Sequence, residues 1–453
     1  MQTPHFSAAL LLISVLPGYS QVLPVEPLPQ VVAPVTERVQ RQAELLQQQA
    51  LQQTQHQHLL HQLAEKAALP DPLTILPKTL DVLSHSGQLG WREVEVELGF
   101  RAVEREWLLL LSAQEWQQLS ARWPQLQQFV HTSTELQALG LLLLQLKLPA
   151  ELDSATALSR QFNAELARFI GRNHLYQPQL SDTADGTAAA LPTAMCEQPV
   201  TLGMVDTAVA TGLPALATGQ FRLLQQNFLP ADITPTYSHG TAVASVLAAR
   251  ADGNPALLPQ LTLYSASAFY ASSDFLQSAT LAHVLTALNW LAGQQVKVIN
   301  MSLTGPDNPV LALTVAQLAQ QQVVLVAAAG NGGPTAAALY PAAYPDVIAV
   351  TAVDQQLQLY RWANQGDYID YAAVGVKVPV LSVSGAVTHQ SGTSLAAPVV
   401  SAAVACLLAE VPELTLAQIK QQLTQRARDV GPPGKDSQFG FGLLSAPLKA
   451  QLQ

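Results

Sequence analysis

From about residue 197 to residue 448 the chain alternates short apolar runs with segments of helical periodicity, and that alternation limits its fold more than any other feature. The apolar runs fall at 200–206, 261–266, 296–301, 322–329 and 346–351. The helix-like segments fall at 239–250, 275–293, 309–321, 394–410 and 415–428. Continuous apolar strands are buried on both faces, and strands separated by helices pair in parallel. The expected fold class is therefore α/β: a three-layer sandwich with a parallel sheet between two layers of helices. In such a fold, ligands bind at the carboxyl edge of the sheet.

Candidate chemistry sits at that edge. The run Val200 to Val205 ends in Asp206, Tyr237-Ser238-His239-Gly240-Thr241 opens one helix, and Ser391-Gly392-Thr393-Ser394-Leu395-Ala396-Ala397-Pro398 opens another. A serine hydroxyl is a poor nucleophile at its own pKa and needs a base, which a third group must orient. Ser394, His239 and Asp206 supply the three. Gly240 is read as letting the backbone pass close to the serine. Ser394 stands in the positive end of a helix dipole, and Pro398 is expected in the first turn, where proline removes no needed hydrogen bond. The buried run Val323 to Ala329 ends in Gly330-Asn331-Gly332, an amide donor suited to a developing oxyanion. Each piece alone is ordinary: a turn Asp, a structural His, a turn Asn before glycine. Together, the chain order Asp, His, Ser and the segment Gly-Thr-Ser-x-Ala-x-Pro resemble the subtilisin-like serine proteases, the subtilases. Gly-x-Ser-x-Gly is absent at Ser394, which counts against a lipase or esterase fold.

The resemblance implies catalytic roles for Asp206, His239 and Ser394, with the Asn331 amide and the Ser394 backbone N–H as oxyanion donors. It also implies that the segment Val298 to Pro306 lines the substrate cleft and that Tyr340 to Val350 is a turn followed by a core strand. A substrate pocket is then expected at Ser302, Leu303, Thr304, Gly305, Ala328, Ala329 and Gly330, with Leu339 narrowing its floor. No carboxylate lies among them, so a medium-sized apolar side chain is the expected occupant. Two positions depart from the family pattern: Ala208 stands where glycine is usual, and Ala242 where a second histidine is common. The segment Ala251-Asp252-Gly253-Asn254-Pro255 has a single carboxylate, whereas a calcium cage needs several oxygen ligands. No metal site and no cofactor are expected, weak surface calcium remaining open.

Upstream, residues 1–20 read as a signal peptide built on the apolar run 6–16. A short buried helix or an uncleaved anchor is the other reading. The run is short for a membrane span, and no stable span is expected. Residues 21–91 combine a Pro-rich linker with a Gln-rich helical segment. Its His56, His58 and His61 read as an exposed polar face. Residues 92–178 follow an α+β plan: strands at 92–98 and 106–111, a helix-like stretch at 113–130, a strand at 138–149, a helix at 153–168 with Asp153 as N-cap, and a last strand through 172–178. This plan is similar to subtilase propeptides. That implies a folding aid and inhibitor whose last strand lies in the cleft. Residues 179–196 read as an exposed connector and processing region.

The formal net charge of −10, with no basic stretch, argues against a nucleic-acid partner. Cys196 and Cys406 are the two cysteines. They form one bridge in an oxidising compartment, or Cys406 is simply buried in a small-residue helix. The combined expectation is a secreted serine endopeptidase, extracellular or periplasmic. It would be made as a zymogen and act on protein or peptide substrates through an acyl-enzyme. The alternatives are a secreted binding or scaffold protein on an inactive protease fold, and a serine hydrolase of non-peptide substrates.

Overall fold

A computed structural model describes residues 78–162, 165–178, 194–217, 220–249, 256–272 and 276–445. An N-terminal module contains β1 (Thr79–Leu83), β2 (Leu89–Glu95), β3 (Arg101–Leu111), α1 (Ala113–Arg122), β4 (Val130–Leu136), β5 (Leu141–Lys147), α2 (Ala155–Phe162) and β6 (Ile170–Pro178). The sheet domain follows with β7 (Val200–Asp206), β8 (Arg222–Asn227), α3 (Ser238–Ala248), β9 (Leu261–Ser267), β10 (Tyr270–Ala271), β11 (Gln277–Thr280) and α4 (Leu281–Gly293). Next come β12 (Val298–Met301), β13 (Leu303–Thr304), α5 (Pro309–Gln320), β14 (Val324–Ala328) and β15 (Val347–Val353). The domain closes with β16 (Tyr371–Val374), β17 (Val378–Leu381), β18 (Val387–Gln390), α6 (Thr393–Glu410) and α7 (Leu416–Arg426).

The expected parallel sheet is present, with strand order β16-β15-β14-β12-β7-β9-β8 and every pairing parallel. Side chains alternate across it with the two-residue period of a strand. Val298, Val324, Val326, Ile348 and Val350 join the core beneath α3 and α6. Ile299, Met301, Leu325, Val347 and Ala349 join the opposite core with α4 and α5. Two helix layers therefore enclose the sheet, and the apolar runs read as continuous because both faces are buried. Among the described helices, α6 alone is long and apolar enough to cross a membrane, and it lies buried in this core.

The N-terminal module packs the same way at smaller scale. Trp107, Leu109 and Leu111 of β3 face α1 and α2, meeting Leu119, Leu158 and Phe162. Leu108 and Leu110 face the other way, into the core that holds Val284 and Leu288 of α4 and Leu311 of α5. The run Trp107 to Leu111 is thus buried between the module's own helices and those of the sheet domain. Pairing continues across the boundary, since β6 lies between β3 and β11.

Several boundaries differ from those read in the sequence. The module starts at Thr79 rather than residue 92. Only Val82 of β1 is buried, so that strand carries no alternation to read. The strand expected at 92–98 stops at Glu95, and Leu98 adopts φ +59 in a short 3-10 turn. The helix expected at 113–130 ends at Arg122 ahead of Pro124, and the chain then enters β4. The helix expected at 153–168 is regular only as α2. Its cap is Ser154, whose Oγ accepts from Ala157 N at 3.1 Å. Asp153 instead accepts from Trp107 Nε1 and Arg172. The first part of the helix expected at 275–293 is strand β11. The expected connector ends before Met195, which is 3% exposed and joins the core, and Cys196 is bonded to Cys406 of α6. Strands β8, β16, β17 and β18 are short or carry polar side chains, and the apolar pattern did not mark them. The expected signal peptide, the expected linker and Gln-rich helical segment with its histidines, residues 251–255 and residues 179–193 lie outside the described residues.

Candidate active site

Asp206 is the last residue of β7 and stands at the carboxyl edge of the sheet. Its Oδ1 accepts from His239 Nδ1 at 2.6 Å and from Thr207 N at 2.7 Å. The pair is sealed from solvent, with side-chain exposures of 1% and 0%. With Nδ1 donating to the carboxylate, Nε2 is the nitrogen left to accept a proton. Nε2 is buried and makes no hydrogen bond within the described residues. His239 enters as the second residue of α3. The close approach at Gly240 is to the strand end rather than to the serine: a Cβ there would fall 2.2 Å from Thr207 O. Gly240 N donates to Thr207 Oγ1 at 2.7 Å, which ties the start of α3 to the residue after Asp206. Ala208 keeps a negative φ, so the position needs no glycine.

Ser394 is the second residue of α6, which packs directly against α3. It is fully buried, and its carbonyl accepts from Ser302 Oγ at 2.8 Å. Asn331 follows β14, and its Oδ1 accepts from Thr393 N at 3.1 Å and Thr393 Oγ1 at 3.0 Å. Those two bonds turn the carbonyl end of the amide toward Thr393, so the N–H end is the other end. Gly330 N donates to Thr393 Oγ1 at 3.2 Å, completing the tie between the end of β14 and the start of α6. The structure therefore brings Asp206 and His239 into contact and ties Asn331 to Thr393, the residue before Ser394. No hydrogen bond joins His239 Nε2 to Ser394.

The expected pocket residues fall at two strand ends. Leu303 and Thr304 form β13, which pairs antiparallel with β6: Leu303 lies opposite Pro178 and Thr304 opposite Gln177. On the other side of β6, Ala279 lies opposite Tyr176. An extended segment of the N-terminal module thus fills a slot between β11 and β13, one residue from Ser302. Tyr176 is fully buried there, beside Gly305. Ala328 and Ala329 are buried at the end of β14, and Leu339 Cδ1 would lie 2.8 Å from a Cβ on Gly330. Ser302 directs its hydroxyl at the Ser394 carbonyl.

Sequence reasoning missed Thr207, Thr393, Asn300 and Ser401. Thr207 and Thr393 adjoin candidate residues, so a hydroxyl next to a candidate side chain was the available signal. Asn300 and Ser401 carried none, because a buried Asn in a strand and a Ser in a small-residue helix read as packing. Among the described residues, no group of three or more His, Cys, Asp or Glu side chains is arranged to hold a metal ion.

A family model described as the subtilase family matches residues 198–442. The minor extracellular protease Epr of Bacillus subtilis (strain 168) is 32% identical over 215 residues, covering 47% of this chain and 33% of that protein. Subtilisin E of the same strain is 32% identical over 234 residues, covering 50% and 60% respectively. Subtilisin of Bacillus pumilus is 32% identical over 234 residues, covering 50% of this chain and 82% of that protein. The chain thus spans less than two thirds of the first two relatives.

Proposed function

The chain belongs to the subtilase family, and from that membership we propose that it is a serine endopeptidase acting through Asp206, His239 and Ser394. The observation that carries the proposal is the sealed 2.6 Å contact between Asp206 and His239, on a helix packed against the one that bears Ser394. Ser394 Oγ attacks the carbonyl carbon of the peptide while His239 Nε2 takes its proton. Asp206 holds the imidazole in the required tautomer and stabilises the imidazolium. The carbonyl oxygen, now an oxyanion, is met by the Asn331 amide and the Ser394 backbone N–H. His239 then protonates the leaving amine, the C–N bond breaks, and an acyl-enzyme remains. Water, activated by the same base, releases the acid. Every role falls to a side chain or a backbone group of this chain, and no cofactor is part of the proposal.

We further propose that the protein is made as a zymogen. The pairing of β6 with β13 supports this, because a segment of the N-terminal module lies where an extended substrate would. The cut then falls between residues 179 and 194, since β6 extends to Pro178 and Met195 is already in the core. Gly330 and Leu339 support a preference for a medium-sized apolar residue before the cut. Export to an oxidising compartment is supported by the Cys196–Cys406 bridge and by the word extracellular in the name of one relative. No observation favours the scaffold reading.

The test compares intact mass and N-terminal sequence of the purified protein with those of Ser394→Ala, alongside casein turnover. The wild type alone should convert to a form starting between 180 and 195, and it alone should digest casein. Full-length protein in both samples, without casein turnover, would overturn the proposal.

A further inference from the structure

Pro398 is the sixth residue of α6, so it lies in the second turn rather than the first. At that position a residue normally donates its N–H to the carbonyl four residues back. Proline has no N–H, and the carbonyl it leaves is that of Ser394. Ser394 is fully buried. A buried carbonyl deprived of its donor is destabilising and must be satisfied from elsewhere.

The replacement donor is Ser302 Oγ, at 2.8 Å from Ser394 O. A serine hydroxyl has one hydrogen and rotates freely, so something must aim it. Asn300 Nδ2 donates to Ser302 Oγ at 2.9 Å, which leaves the Ser302 hydrogen for Ser394. The Asn300 amide is oriented in turn by Ser401 Oγ, which donates to Oδ1 at 3.0 Å and shares its hydrogen with Ala397 O. Asn300, Ser302 and Ser401 are all fully buried. The chain of bonds thus leaves α6 at Ser401, crosses the end of β12, and returns to α6 at the nucleophile.

We propose that Asn300 and Ser401 are positioning residues for Ser394, setting the Ser302 hydroxyl to replace the helical donor that Pro398 withholds. The inference rests on the proteolytic reading above. The peptide plane after Ser394 is then held from outside the helix, and with it the Ser394 N–H and Oγ. Small displacements of a reacting group reduce rate steeply, so the device acts on the chemical step and not on substrate affinity.

A double-mutant cycle between Ser302 and Pro398 tests this. Each variant is expressed as the full chain, and kcat and KM on a peptide substrate are normalised to active sites, with Tm as a control for folding. Ser302→Ala and Asn300→Ala should each lower kcat about tenfold, with KM within about twofold. Ser401→Ala, the mildest change because its hydroxyl is shared with Ala397 O, should lower kcat about threefold and lower Tm less than Asn300→Ala does, and it serves if the others fold poorly. Pro398→Ala restores an N–H to the helix, so the loss from Ser302→Ala should shrink to about twofold or less in that background. An equal loss in both backgrounds, or a change in KM instead of kcat, overturns the inference while leaving the protease reading intact. Absence of turnover in the wild type overturns both.

Discussion

Tyr176 of the N-terminal module donates its hydroxyl to the Pro306 carbonyl of the sheet domain at 3.0 Å. The ring is fully buried, and a Cβ on Gly305 would fall 2.5 Å from its Cδ1. Burial, followed by the charge of Asp307, holds the phenol well above its ordinary pKa, so it remains a donor. Tyr176→Ala should destabilise the full-length Ser394→Ala protein by about 3–5 kcal/mol, and Tyr176→Phe by about 1 kcal/mol. Thermal unfolding measures both. An alanine variant as stable as its parent would show that the ring does not anchor the module.

Asp206→Asn should leave the fold intact and lower kcat by about 10⁴, because the amide favours the wrong imidazole tautomer. Circular dichroism and peptide turnover on the same sample check the two halves of that statement. A loss of tenfold or less would remove Asp206 from the role assigned to it.

Asn331→Leu should lower kcat by about 10²–10³ with little change in KM, as expected for one oxyanion donor. Thr393→Ala removes the hydroxyl that orients the Asn331 amide and should give a smaller loss of the same kind. If Asn331→Leu raised KM and left kcat unchanged, the amide would be a binding group instead.

The bridge between Cys196 and Cys406 spans 210 residues of sequence. Closing a loop of that length restricts the unfolded chain, and its loss should remove about 3–5 kcal/mol of stability. Denaturant unfolding of the double variant Cys196→Ala, Cys406→Ala beside wild type measures it. Equal midpoints would mean that the bridge contributes nothing.

Acid should loosen the module. His174 on β6 accepts from Asn308 Nδ2 at 2.9 Å, and burial, with help from the Arg172 charge, pushes its pKa down to about 4. His283 on α4 packs against Trp91 of β2, and burial pushes its pKa down to about 4 as well. A histidine held neutral in the docked state contributes its full stability above its ordinary pKa of 6.5 and loses it as pH falls toward 4. Glu93 works in the opposite sense, because burial raises its pKa and its contribution is lost as pH rises. Against burial, hydrogen bonds from Arg172 to Glu97 and from His131 and Asn173 to Glu106 lower those carboxyls, so their contributions too are lost as pH falls. Together these groups predict that Tm of full-length Ser394→Ala falls between pH 6.5 and 4, and that His174→Gln flattens part of the slope. A Tm that rises on acidification would contradict this.

Much of the fold was legible because the core strands of a parallel sheet are apolar on both faces, as at Val324 to Ala328. Asp206, His239, Ser394 and Asn331 were legible as candidates because each sits in a short segment whose neighbours are also constrained. Gly240 must be bare against Thr207 O, and Asn331 is tied to Thr393. Strand β8 was not legible: Arg222 to Asn227 is mostly exposed at the sheet edge and carries no apolar period. The position of Pro398 was misread because the start of a helix is fixed by backbone geometry and not by the first residue of a motif. The Asn300, Ser302 and Ser401 relay joins residues separated by up to 101 positions, and no local pattern announces such a contact.

One leucine-rich strand serves two cores, and under the zymogen proposal this would separate scission from departure. Leu108 and Leu110 stay dry only while β3 lies on α4 and α5. Hydrolysing a single bond in 179–194 would leave that apolar contact untouched. A freshly nicked molecule would therefore keep both of its pieces together. Its latency would be timed by how slowly leucine side chains re-enter water, and not by how fast the peptide bond is broken.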